Sequence, residues 1–348
     1  MTEYRAVLVG CGKISQTWLR AIAEMQDLEI VGLVDLDEGQ ATDTKETFEL
    51  SAATTGTDVR QMVDTLQPDM VFDCTHPKAH RAVTGTALEM GCHVLGEKPM
   101  ADTYANALEM VKAAETSGKT YAVIQNRRYN DDIVRFRDIV QSGEIGALTT
   151  LNADFYKGSR FGDFRDHMEH VLLLDMAIHS FDEARYISGK NPISAYCHEW
   201  NPKGSWYDHG ASAAVILEME EGLVLNYRGS WCAEGYNTSW QCEWRALGSE
   251  GSALWDGQNA VNAQKVSESG MVGLCKQVED VPVSAGTPAQ HTKHAGVIRE
   301  FLDCLTNGTT PQTDCSDNIK SVAMVHAAIR SAETGRKVSI EELEETTI

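Results

Sequence analysis

The strongest constraint on the fold lies at the start of the chain, where Ala6-Val7-Leu8-Val9 runs directly into Gly10-Cys11-Gly12-Lys13-Ile14-Ser15 and Trp18, Leu19 and Ile22 then recur at helical spacing. An apolar strand, a tight glycine turn and a helix, in that order, open a βαβ unit of a parallel sheet. The first glycine permits the turn, and the second lets a pyrophosphate approach the backbone. The helix N-terminus behind them offers free amides and the positive end of its dipole. Gly10, Gly12, Lys13 and Ile14 are therefore the candidate phosphate site. Ser15 stands where a third glycine is usual; it is small enough for helix and strand to pack closely, and the departure leaves ligand affinity open.

The second strand, Glu29 to Val34, ends in Asp35, at the distance where an acid hydrogen-bonds the ribose hydroxyls of adenosine. A carboxylate there repels a 2′-phosphate, so NAD is expected over NADP; the alternative is that Asp35 only opens the turn before Asp37 and Glu38. Helices over 40–48 and 59–66, the latter behind an Asp58 cap, and a strand over 69–73 continue the alternation of a parallel sheet. Thr75 and His76 follow that strand end and are expected to face a nicotinamide. His76 and His80 have the i,i+4 spacing of metal ligands, yet no third ligand is suggested and Pro77 suits a helix start, so no metal is expected.

His93 to Gly96 is the next strand, and it delivers Glu97-Lys98-Pro99 at its end. Ligands bind outside the carboxyl ends of the strands in open α/β sheets, which makes Glu97 and Lys98 candidates for the site and Lys98 a candidate for chemistry. The alternative is a loop lysine ahead of a helix capped by Asp102 or Thr103. A helix over 104–117 and a strand over 120–125 complete a first domain of residues 1–125.

With 348 residues, 42% hydrophobic and 23% charged, the chain suits two globular domains. Lys and Arg number 30 against 51 Asp and Glu, a formal charge of −21, which disfavours nucleic acid and anionic membrane surfaces as partners. No apolar run is long enough to span a bilayer, and the early strand leaves no room for a signal segment, so a cytoplasmic location is expected. The 9 cysteines form no Cys-x-x-Cys pair and indicate neither a disulfide framework nor a zinc site.

Residues 126–348 are expected to form the second domain. Arg127 and Arg128 stand at its entrance, either in a solvated linker or carrying cationic groups back to a cleft. Alternating segments at 148–155, 193–200, 211–219, 223–230 and 240–247 mark an antiparallel sheet with one face covered. A helix expected over 168–187 interrupts them and carries Asp175 and His179 at i,i+4 among Val171, Leu172, Leu173 and Leu174. A histidine beside a carboxylate is a candidate general base. Aromatic and polar clusters around Trp200, Trp206 with His209, and Trp231 to Tyr236 suit either a carbohydrate or a subunit interface. Helices over 294–305 and 318–333, the second capped by Asp317, and an acidic solvated tail at 341–345 close the chain.

Gly10-Cys11-Gly12, Asp35, Glu97-Lys98-Pro99 and Asp175-x-x-x-His179, in that order, resemble the glucose-fructose oxidoreductase / inositol dehydrogenase / rhizopine-catabolism (Gfo/Idh/MocA) family, over nearly the whole chain. The resemblance implies a Rossmann domain of doubly wound parallel α/β type, followed by an α+β domain on an open, mainly antiparallel sheet. It also implies Lys98, Asp175 and His179 as the catalytic set at the cleft, a cis Lys98–Pro99 bond, and a homodimer or homotetramer joined through the outer sheet face. The expected activity is NAD(P)-dependent hydride transfer at a secondary hydroxyl of a sugar, cyclitol or polyol. The alternatives are NAD-assisted elimination or glycoside cleavage, and a non-catalytic NAD- or sugar-sensing regulator; retention of Lys98, Asp175 and His179 argues against the sensor.

Overall fold

Six short strands, all but β3 rich in buried apolar residues, set up the first sheet: β1 (Tyr4–Val9), β2 (Leu28–Val34), β3 (Thr54–Gly56), β4 (Met70–Asp73), β5 (His93–Gly96) and β6 (Tyr121–Val123). Strands covered on both faces read as continuous apolar runs rather than alternating, as Ala6 to Val9 of β1 and Met70 to Phe72 of β4 do. All neighbours pair in parallel in the order β3-β2-β1-β4-β5-β6, so the order reverses between β1 and β4 and opens a crevice at their carboxyl ends. The computed structural model describes residues Tyr4–Glu345.

Helices α1 (Lys13–Ile22), α2 (Glu38–Thr47), α3 (Val59–Leu66), α4 (Pro77–Glu89) and α5 (Tyr104–Ser117) connect these strands. Asp58 and Thr103 cap α3 and α5 by accepting from the Gln61 and Asn106 amides, which settles the choice between Asp102 and Thr103. The chain divides into two units: one runs to Tyr129 and regains Gln290–Val322, and the other comprises Asn130–Ala289 with the chain from Ala323. The expected contiguous split after residue 125 thus gives way to a discontinuous one. The cause is α8 (Lys293–Asn307), whose Val297, Ile298, Phe301 and Leu302 join Trp18, Leu19 and Ile22 of α1 in one core.

Asn126–Tyr129 is a 3₁₀ turn with both arginines buried, not a solvated linker. Arg128 donates to the Gln312 carbonyl and to Asp317, each at 3.0 Å. That is a correction to Asp317 as well: α9 (Cys315–Thr334) begins before it, and Asp314 accepts from the Ser316 amide at the helix start.

The second unit is built on nine strands: β7 (Leu148–Tyr156), β8 (Pro192–Trp200), β9 (Ser212–Met219), β10 (Val224–Ser230), β11 (Glu243–Gly248), β12 (Gly251–Trp255), β13 (Val261–Val272), β14 (Cys275–Val281) and β15 (Val338–Ser339). Their order is β14-β13-β12-β11-β7-β10-β9-β8-β15, antiparallel throughout except for β7 beside β10. Helices α6 (Asp131–Gln141) and α7 (Ile178–Ser188) pack against it, with Phe136 on Trp255 and Phe181 on Tyr227. The other face carries Tyr196, Trp200, Ile216 and Leu254, all exposed. The acidic end forms a short helix, α10 (Ile340–Glu345), rather than a bare tail. Among the described residues, no helix is long and apolar enough to cross a membrane.

Candidate active site

The glycine turn closes on its own backbone. Gly10 has φ +92°, and a Cβ there would lie 2.7 Å from the Cys74 carbonyl, so only glycine lets β1 pass the end of β4. Gly12 caps α1 with extended backbone and no side-chain acceptor, and a Cβ built on it meets nothing within 4 Å. The open approach and the uncapped amides of the α1 start fit a pyrophosphate. Ser15, fully buried, donates its hydroxyl to the Gly12 carbonyl at 2.6 Å, so the substitute for the third glycine adds a hydrogen bond to the turn. Asp35, at the end of β2, accepts from the Cys11 amide at 2.7 Å and from the Asp37 amide at 3.0 Å. Its carboxylate is thereby fixed beside the glycine turn.

Thr75 and His76 follow β4. The Thr75 hydroxyl donates to the buried Asp73 carboxylate at 2.5 Å, while His76 is exposed and its Nδ1 accepts from the Lys78 amide at the α4 start. His80 is buried, with Nδ1 at 3.0 Å from the Pro99 carbonyl and Nε2 at 2.9 Å from that of Thr75. It braces the ends of β4 and β5, a role the His76–His80 spacing conceals. The Lys98–Pro99 bond is cis and Lys98 is half-buried.

Glu97 is buried. Its Oε1 accepts from Trp18 Nε1 at 2.7 Å and its Oε2 from the Lys98 amide at 3.0 Å. His294 of α8 approaches the same carboxylate with Nε2 at 3.9 Å, and its Nδ1 accepts from Asn126 Nδ2 at 3.3 Å. Burial pushes the His294 imidazole below its ordinary value, against the pull of Glu97. Nothing in the local sequence pattern singles out this histidine.

In the second unit, the single helix expected over 168–187 is two pieces, a π-helical turn (Leu172–Ala177) and α7, and a separate 3₁₀ turn (Phe164–His167) precedes them. Val171, Leu172, Leu173, Met176 and Ala177 in and beside the π-turn are buried. Asp175 lies within this turn and the buried His179 in the first turn of α7, so the plain α-helical i,i+4 geometry does not apply. Asp175 Oδ2 accepts from Arg165 Nε at 2.9 Å. Arg165 escaped the sequence reading; the clue was a cation between Asp163 and Asp175 in an acidic chain.

His170 precedes the π-turn with φ +51°, and its carbonyl accepts from the Leu174 amide. Its Nδ1 lies 2.5 Å from Glu199 Oε2 on β8 and its Nε2 3.7 Å from Glu333 on α9. Of the other predicted contacts, His209 is exposed, whereas Trp206 stacks under the Arg160 guanidinium, 3.7 Å from the ring centroid, and donates to the Ser159 carbonyl. Trp231 is core, packed edge-on against Phe155 and Phe161.

The parallel sheet order and the glycine turn are those of a dinucleotide-binding class. The NAD-binding Rossmann fold of the Gfo/Idh/MocA oxidoreductases matches residues 4–125, and the Gfo/Idh/MocA C-terminal domain matches residues 133–254. The chain belongs to that family. It is 25% identical to the D-apiose dehydrogenase of Paraburkholderia graminis over 98% of this chain and 91% of the relative. It is 23% identical to the inositol 2-dehydrogenase of Rhizobium meliloti over 96% and 98% of the two chains. An oxidoreductase from Agrobacterium radiobacter, solved in complex with NAD+, L-tartaric acid and magnesium, has the same fold with a TM-score of 0.84 at 21% identity, covering 98% of this chain and 100% of that one.

The hydrogen bond to Glu199, then the nearby negative charge, raises the His170 pKa against the opposing effect of burial. A group raised on folding contributes stability that is fully present below the unfolded value, about 6.5, and is lost as pH climbs through the folded one. Asparagine tolerates the left-handed backbone, so His170→Asn removes the charge without the conformational penalty. Its melting temperature should fall below wild type most at pH 6 and converge on it by pH 9; a gap that widens with pH would contradict the assignment.

Proposed function

We propose that the protein is a NAD-dependent dehydrogenase that transfers hydride between a secondary hydroxyl of a sugar, cyclitol or polyol and the nicotinamide. The observation that carries this reading is Lys98: a half-buried lysine at the carboxyl end of β5, with its amide held by Glu97 and the following turn by His80, in the sheet that carries the glycine turn. The dehydrogenases of apiose and inositol among its relatives support the substrate class. The amides of Gly12, Lys13 and Ile14 would hold the pyrophosphate, Asp35 the ribose hydroxyls, and Thr75 and His76 the nicotinamide end. When bound, the nicotinamide supplies the hydride acceptor.

Lys98 donates from Nζ to the hydroxyl oxygen and stabilises the negative charge that grows there as the carbon is oxidised. His179 accepts the hydroxyl proton on an imidazole nitrogen, and Asp175 orients the substrate or the imidazole. The row of exposed Tyr196, Trp200 and Ile216 supports assembly into a homodimer or homotetramer through the outer sheet face. A cytoplasmic location is part of this proposal.

The Asp35 carboxylate bonds a free ribose diol and repels phosphate, so NAD should bind more tightly than NADP in fluorescence-quenching titrations, with the gap narrowed in Asp35→Ser. A preference for NADP would overturn the cofactor assignment. Lys98→Met should lower kcat about a hundredfold to a thousandfold, equivalent to ~2.7–4 kcal/mol, with NAD affinity changed by no more than a few-fold. Near-normal turnover in that variant would refute the role of the lysine.

A further inference from the structure

The 3₁₀ turn before the π-turn contains a cation with two acids on it. Arg165 Nε donates to Asp175 Oδ2 at 2.9 Å and Nη1 to Asp163 Oδ2 at 3.1 Å, so donors on different edges of one planar guanidinium bridge the two acids. Asp163 also accepts from the Arg165 amide at 3.0 Å, which locks the backbone from which the side chain departs. The rings of Phe161 and Phe164 lie 5.0 and 4.7 Å from the guanidinium carbon and restrict it from its faces. The Arg165 side chain is 26% exposed and that of Asp175 13%, so the pair is shielded enough for the contact to be worth more than a surface bridge. Burial works against the arginine's charge, but Asp175 and then Asp163 more than offset it.

A π-turn does not by itself set the direction of the Asp175 side chain, because its hydrogen bonds are spent on backbone groups. Arg165, reaching from the preceding turn, supplies that direction. We infer that Arg165 is a positioning residue for the reaction: it fixes the orientation of the Asp175 carboxylate and acts through it rather than on the substrate. The inference rests on the catalytic reading of Asp175. A lysine cannot reproduce the function fully, since one ammonium lacks the rigid fork that spans both acids. The competing role is structural, a bolt between the 3₁₀ turn and the π-turn with no influence on turnover.

The test is a double-mutant cycle of Arg165→Gln and Asp175→Asn, with Arg165→Lys in both backgrounds, measured for kcat and KM on whichever polyol the wild type oxidises and, in parallel, for melting temperature. Arg165→Gln should lower kcat about tenfold or more with KM for NAD within about twofold, and should cost less than about twofold once Asp175 is already asparagine. Arg165→Lys should recover part of the loss in the wild-type background only. A loss of the same size in both backgrounds, or turnover within about twofold of wild type, would overturn the inference. If Arg165→Gln does not fold, Arg165→Lys carries the cycle alone. If the wild type oxidises no polyol, the functional reading fails separately. The melting cycle then tests the contact on which the inference stands, and equal losses in the two Asp175 backgrounds refute it.

Discussion

The buried carboxylate of Glu97 is the contact on which the first unit's ligand-binding edge depends. Taking a charge out of water is costly unless it is fully hydrogen-bonded, and Glu97 is buried, so the groups around it are constrained to remain in place. They are the Trp18 indole on the helix behind the glycine turn, the Lys98 amide at the end of β5, and His294 on a helix nearly two hundred residues further along the chain. One acid therefore fixes the cofactor turn and the candidate catalytic lysine relative to each other. The late return of α8 to the first unit follows from the same arrangement, because its apolar residues pack on Trp18 while its histidine approaches the carboxylate.

The same logic recurs in the second unit with opposite polarity. There the organising groups are cations met by acids: Arg165 between Asp163 and Asp175, and His170 between Glu199 and Glu333. Both sit in the short segment that enters the π-turn. A wide helical turn is less regular than an α-turn and is found at functional sites, where neighbouring contacts hold it. The two bridged residues hold this one at its start and at its acid.

Much of the first unit was legible because its signals are local. The glycine turn, the Asp58 and Thr103 caps and the apolar strands each announce themselves within a few residues, and helices over 59–66 and 104–117 match their expected bounds. The edge of the second sheet was not legible. β14 is exposed along its whole length except at Val281, so no alternation of apolar and polar residues marks it. Asp317 read as a cap because an acid before a helical pattern usually is one, but the helix already begins at Cys315 and Asp317 meets Arg128 folding back from the distant 3₁₀ turn. The π-turn was invisible because consecutive leucines fit a helix of either width. Lys98, Asp175 and His179 were expected as a set only through the family resemblance, and His80 and His294 meet the Pro99 carbonyl and Glu97 across sequence separations that no local pattern reports.

The central claim is that hydride moves between a carbinol carbon and the nicotinamide. The most direct test incubates the protein and NAD with polyols deuterated at the secondary carbinol carbons, and follows both the reduced cofactor and the organic product by mass spectrometry. The account predicts reduced cofactor bearing the substrate's deuterium, formed together with the corresponding ketone. Consumption of substrate with no labelled reduced cofactor would contradict it.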